Sequence, residues 1–167
     1  MFRFANRQGN VMKPLTCVRA IVLGLVAVAT APVIADDGER SVTAAATCLF
    51  PVEAELGAVA LQGIEIGTGV FIEADGSASG TFHAVLQGTA LGFSREITLE
   101  GKVSEGSVGI DGRATFSGTA SLDLGDGAPP LPSVAFSVTA GADDVVLVID
   151  STPLPAAGLT AGALTIE

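Results

Sequence analysis

Strict alternation of apolar and polar residues over positions 114–124 limits this chain to a β-sheet fold. Alanine, phenylalanine, glycine and leucine occupy the even positions, while threonine, serine and aspartate occupy the odd ones. Because successive side chains of a strand point to opposite faces, this pattern creates one apolar face and one polar face, which no helix does. Residues 96–103 and 134–140 repeat the pattern. The sequence therefore predicts half-buried antiparallel strands.

Two Asp-Gly pairs mark turns between such strands. Asp75 and Gly76, and then Asp111 and Gly112, begin the same pattern, D-G-x-A-S/T, 36 residues apart. Glycine accepts the positive φ angle that tight hairpins demand, so each pair predicts a hairpin. The two copies are consistent with a duplicated hairpin or with recurrent hairpin chemistry.

Further turn signals complete the predicted fold. A proline-rich stretch at 125–132 must be a loop, and the run at 145–149 is apolar at every position, which predicts a strand buried on both faces. Turns every 8–15 residues divide the chain into about seven to nine strands. We predict an all-β fold, either an antiparallel β-sandwich or a small β-barrel, preceded by an N-terminal signal-peptide helix.

The first 35 residues have the layout of a secretory signal peptide. Basic residues precede a short apolar run, and Val33 and Ala35 stand at the −3 and −1 positions of a cut between Ala35 and Asp36. The apolar run is shorter than the roughly 20 residues that a membrane-spanning helix needs. Met12 is an alternative start, since the residues from there onwards already form a complete signal peptide.

This leader defines the predicted organisation of the chain. We expect a signal peptide at 1–35, a lead-in segment at 36–50 and one antiparallel β domain at 51–167. The mature protein is expected to be secreted or periplasmic, with no membrane span after signal removal.

The mature chain is strongly acidic. Residues 36–167 carry eighteen acidic and four basic side chains, which gives a net charge of −14 over 132 residues. A surface of this charge repels phosphate backbones, so binding to nucleic acid is excluded as a general function. The charge is typical of a protein that stays soluble without self-association.

Residues with catalytic potential are scarce. The only histidine, His83, alternates with Phe82 and Ala84, so we expect it on the solvated face of a strand. Cys48 is the only cysteine left after cleavage and lies among apolar residues, which predicts a buried, inert thiol. A single histidine rules out the usual multi-histidine metal sites, and no nucleophile elbow, P-loop or dinucleotide fingerprint is present. We predict a non-enzyme with no catalytic residues, no metal site and no cofactor.

The outward positions of the longest alternating strand form a row of hydroxyls, Thr115, Ser117, Thr119 and Ser121. Such a row can bind a polymer, a partner strand or ordered water. It is also what the solvated face of a strand ordinarily contains, and we favour that interpretation. A second matched row on a neighbouring strand would favour binding.

Two functions remain. The first is an exported non-enzymatic β domain that acts as a surface interaction, envelope or matrix component, with an unknown protein or small-molecule partner. The alternative is a carrier of a small apolar ligand inside a β-barrel, in which inward glycines such as Gly101 and Gly118 leave room. The sequence identifies no ligand-binding residue. An interior closed by Phe82, Phe116 and Phe136 would argue against the carrier.

Overall fold

The computed structural model describes residues 38–167, and these residues form one antiparallel sheet and no helix. This confirms the predicted all-β antiparallel fold. The predicted signal-peptide helix, the Met12 start and the cleavage site at Ala35 and Asp36 lie outside the described residues. The strands are β1 (Arg40–Leu49), β2 (Glu55–Leu56), β3 (Val59–Ile72), β4 (Ser77–Ala90), β5 (Phe93–Val108), β6 (Ala114–Asp123), β7 (Leu131–Ala140), β8 (Asp144–Ile149), β9 (Thr152–Pro153) and β10 (Ala157–Ile166).

The sheet closes on itself through β1, which pairs with β10 along one edge and with β3 along the other. The eight long strands follow one another around this closed sheet in chain order, and β2 and β9 add to β3 and β8. The described residues thus contain ten strands where seven to nine were predicted. The excess is the pair of two-residue strands, which are too short to show an alternating pattern.

The predicted lead-in segment at 36–50 contains β1. Its alternation is visible only in part, because Ala44, Ala45 and Ala46 follow one another and alanine fits either face. In the structure Ala44 and Ala46 are buried, whereas Ala45 is exposed. The segment therefore supplies a strand that is paired along both edges.

Three phenylalanine rings form the centre of the closed sheet. The Phe82 centroid lies 5.8 Å from that of Phe116, edge to face, and 5.2 Å from that of Phe136, stacked. The Phe136 ring also lies over Gly101, where an added Cβ would be 2.5 Å from its Cε1 atom. The space expected beside this glycine is therefore filled by an aromatic ring. Leucines from four strands pack into the same core: Leu86, Leu99, Leu122 and Leu147.

Both Asp-Gly pairs form hairpin turns, as predicted, and both do so in the same way. Gly76 and Gly112 have φ angles of 87° and 77°. In each turn the Oδ1 atom of the preceding aspartate, Asp75 or Asp111, accepts the backbone N–H of the residue two positions later, at 2.8 Å and 3.1 Å. The turns connect β3 to β4 and β5 to β6. The shared sequence motif therefore corresponds to one turn geometry used twice.

The prediction that residues 145–149 are buried on both faces is wrong. Val145, Leu147 and Ile149 are buried, but Val146 and Val148 are only half-buried. The described residues form a single layer, so the outer face of every strand meets solvent, including that of an all-apolar strand.

The ring of strands is weakest between β8 and β10. Only Val145 with Ala157 and Asp144 with Gly158 are paired across this junction. Beyond it, residues 161–166 of β10 pair with β1 alone, and Thr160 is skipped by the bulge in that ladder. Among the described residues, the other edge of this segment has no partner strand.

Gly118 allows a test of how tightly the strands pack. A Cβ there would overlap the carbonyl oxygen of Lys102 on β5, whereas a Cβ on Gly67 of β3 would meet no atom within 4 Å. We expect Gly118→Ala to lower the free energy of unfolding by about 2–3 kcal/mol, because the two strands must separate. The control Gly67→Ala should be neutral or stabilising by up to about 1 kcal/mol. Urea unfolding measures both, and equal effects would contradict the close approach.

Candidate functional site

The two residues with catalytic potential lie on opposite sides of the sheet. Cys48 is a free thiol with 0% exposure, and burial raises its pKa. His83 lies on the outward face, half-exposed, with its Nε2 atom 3.9 Å from Glu100 Oε1. Both predicted positions are confirmed. Because one side chain faces the core and the other faces solvent, they do not form a cysteine-histidine pair.

Within residues 38–167, no three His, Cys, Asp or Glu side chains are grouped so that they could hold a metal ion. The same part of the chain contains no helix long and apolar enough to cross a membrane.

The hydroxyl row on β6 has a second row beside it over two positions only. Thr139 and Ser137 of β7 stand opposite Thr115 and Ser117, but Thr119 faces Ala135. The Oγ1 atoms of Thr115 and Thr139 are 3.2 Å apart and share a hydrogen bond. Since these hydroxyls bond to each other, this pairing supports the structural interpretation of the row.

A shallow groove of about 580 Å³ adjoins this row. Its polar lining combines two carboxylates, Asp75 and Glu105, with several hydroxyls, among them that of Ser77, the first residue of β4. Hydrogen bonds from the Ser77 side chain and backbone lower the pKa of Asp75. This carboxylate is therefore engaged in its own turn, and within residues 38–167 no basic side chain lines the groove. We regard this groove as the weaker candidate for a functional site.

Large apolar side chains collect at one end of the closed sheet. Among residues 38–167, eight such side chains are exposed, and six of them lie where β1, β4 and β6 end or where β5 and β7 begin. In an antiparallel sheet those strand ends share one rim. We call these six residues the apolar end: Leu49, Val52, Leu91, Phe93, Leu124 and Leu131. The other two are Phe71, on the outer face of β3, and Ile110, at the opposite end.

Leu91 is the most unusual residue of the apolar end. With Gly92 it forms the two-residue turn between the paired residues Ala90 and Phe93, at φ angles of 53° and 83°. This is the turn in which Asn, Asp or Gly is normally found, because L side chains pay roughly 1–2 kcal/mol in the left-handed region. The Leu91 side chain is 97% exposed and that of Phe93 is 73% exposed. Burial within the domain therefore does not offset the strain.

Backbone strain is concentrated at this end. Three other non-glycine residues have positive φ angles, namely Glu53, Ser133 and Asp150, and each lies in or beside a connection at the same rim. The hairpins at the opposite end adopt positive φ only at glycine, as at Gly76. Strained residues often cluster at functional sites, so this asymmetry marks the apolar end as the stronger candidate.

Hydrogen bonding and close packing hold two connections of the apolar end together, the β4–β5 hairpin and the β6–β7 loop. The Arg95 Nη1 atom donates to the carbonyl oxygen of Gly125 at 2.6 Å, which joins the β4–β5 hairpin to the β6–β7 loop. Gly125 itself lies against the Glu96 carbonyl, where no Cβ would fit. Acidic residues, including Glu53 and Asp126, flank the apolar side chains in sequence. The result is an apolar surface supported by Arg95, with acidic residues adjacent to it in sequence.

Comparison of the chain with protein-family models, with curated proteins and with solved structures gives no match. The geometry of the described residues is therefore the basis for the functional argument.

The apolar end was not predicted from the sequence. One signal was present, since Leu91 precedes Gly92 at a position where both Asp-Gly hairpins have aspartate. An alternating pattern identifies apolar residues within strands, whereas these six residues lie at strand ends. Only the closed sheet shows that they share one rim.

The buried Cys48 gives a direct test of the inward face of β1. In the mature protein, without residues 1–35, we expect no reaction with a thiol reagent under native conditions, because the thiol is fully buried and its pKa is raised. After denaturation in urea the same reagent should modify one thiol per chain. Absorbance of the released chromophore measures both states. Modification of the folded protein at the rate of a free thiol would contradict this burial.

Proposed function

We propose that this chain is an exported, non-enzymatic β domain that acts as a surface interaction, envelope or matrix component, and that the apolar end is its contact surface. The observation that carries this proposal is Leu91, a fully exposed leucine held in a strained turn beside the exposed Phe93. A residue that costs folding energy and gains no burial within the domain is best explained by burial against a partner.

The surroundings of the apolar end indicate the chemistry of that partner. Leucine and phenylalanine side chains at loop tips fit an apolar depression, and large side chains of this kind commonly dominate binding energy. The flanking acids, such as Glu53 and Asp126, favour a partner with basic residues around that depression. The same acids disfavour an anionic lipid surface.

Between the two predicted architectures, we assign the closed sheet to the small β-barrels. A carrier of an apolar ligand needs free space inside, yet the Phe136 ring occupies the space beside Gly101, and Gly118 lies against the backbone of Lys102. The buried Phe82 and Phe116 rings pack into the same interior. These contacts favour the surface interaction over the carrier.

Site-specific photo-crosslinking in the source organism tests the contact surface. A photoreactive amino acid at position 91 should give a discrete covalent adduct with a partner, whereas the same group at position 110 should give none. Ile110 is a matched control because it is also fully exposed but lies at the opposite end. Adducts of equal yield at both positions, or none at position 91, would argue against the apolar end.

Replacing Leu91 by asparagine separates binding from folding. Asparagine tolerates a positive φ angle, so Leu91→Asn should raise the free energy of unfolding by about 0.5–1 kcal/mol while it weakens partner binding. The control Ile110→Asn should change stability by less than about 0.5 kcal/mol and leave binding intact. Urea unfolding and the crosslinking yield at a neighbouring position measure the two effects. A loss of stability in Leu91→Asn would indicate that this leucine serves the fold.

A further inference from the structure

We propose that the unpaired edge of β10, over residues 160–166, is a second binding surface that takes an extended peptide segment of a basic partner as an added strand. This proposal concerns a surface other than the apolar end and does not depend on it. Three observations support it: the hydrogen-bonding pattern of the β1–β10 ladder, the incomplete burial of the inward side chains of β10, and the charges at the two ends of the edge.

Between residues 163 and 166, beyond the bulge at Thr160 and the positive φ angle of Gly162, the backbone of β10 presents alternating hydrogen-bonding groups along this edge. Ser41 and Glu167 exchange both backbone hydrogen bonds, at 2.9 Å and 3.0 Å, which sets the phase of the ladder between β1 and β10. Thr165 is therefore bonded to β1, while Leu164 and Ile166 direct their N–H and C=O groups to the other side. Among the described residues no partner accepts or donates there. Another extended chain matches this alternation of donors and acceptors.

This edge lacks the protection that exposed edges usually have. Residues 151–166 contain no ionisable side chain, and the prolines at 153 and 155 come before the unpaired segment. The bulge in the β1–β10 ladder, next to Thr47, also lies at the start of that segment. Edge strands are commonly blocked by lysine, proline or a bulge along their length. Residues 163–166 have none of these devices.

The inward side chains of this segment are incompletely covered. Leu164 and Ile166 stand opposite the buried residues Ala44 and Val42 of β1, yet they are only half-buried themselves. Among the described residues, no strand pairs with β10 on the side away from β1 at these two positions. An added strand with apolar residues at every second position would extend the core over them, with polar residues on its outer face.

Charges at the two ends of the edge favour a basic peptide over a second copy of the chain. The carbonyl of Asp143 accepts the Leu159 N–H at one end, and Glu167 follows the other end. An antiparallel copy would bring Asp143 of each chain towards Glu167 of the other, and like charges repel. A peptide with lysine or arginine on both sides of its uncharged centre meets opposite charges instead.

Binding of synthetic peptides tests this inference. The probe is a fluorescent peptide of alternating threonine and valine with two lysines at each end, and the comparison peptide has glutamates in place of the lysines. We expect the purified protein to bind the lysine-flanked peptide about tenfold more tightly, by fluorescence anisotropy, because of the end charges. Hydrogen exchange should slow at the Leu164 and Ile166 amides when the peptide is bound. N-methylation of the peptide backbone should abolish binding.

A matched pair of variants locates the site. Thr165→Lys places a charge on the edge strand, whereas Thr43→Lys places the same charge on the paired residue of β1, away from the edge. We expect about tenfold weaker peptide binding for Thr165→Lys and unchanged binding for Thr43→Lys. Circular dichroism checks that both variants fold. Equal binding by the two variants, tolerance of the N-methylated peptide, or a stable dimer through β10 in the absence of peptide would overturn the proposal.

Discussion

The pairing of β1 along both of its edges is the constraint on which the rest of this structure depends. Joined to β3 on one side and to β10 on the other, β1 turns a chain of hairpins into a closed sheet. A closed single layer gives every residue of a long strand one of two positions, inside or outside. The inside is filled by the Phe82, Phe116 and Phe136 rings, and the described part of the chain has its one free cysteine, Cys48, buried in the same core.

The same closure separates the potentially reactive side chains of residues 38–167. His83 and Glu100 face solvent, Cys48 faces the core, and the sheet separates them. The hydroxyls of Thr115 and Thr139 hydrogen-bond to each other. Among the described residues, most exposed large apolar side chains lie at strand ends, and β10 keeps an unpaired edge.

The two ends of the closed sheet differ in how their turns are made. At one end Asp-Gly pairs provide a positive φ at glycine and a carboxylate that caps the turn, so local sequence and global fold agree. At the other end Leu91 adopts the left-handed conformation with its side chain in water. Disagreement between local preference and fold is expected where function imposes a cost. A partner at this end would bury the side chains that the fold leaves exposed.

The sequence by itself determined the fold class, the Asp-Gly hairpins, the burial of Cys48 and the outward position of His83, because each follows from a two-residue period or from local turn chemistry. Only the tertiary structure decided that the sheet closes, that Val146 and Val148 are half-buried, and that Leu49, Val52 and Leu91 share a rim. It also decided that β10 keeps a free edge. These features depend on which strands pair with each other. Pairing between strands that are far apart in the chain produces no periodic pattern in the sequence.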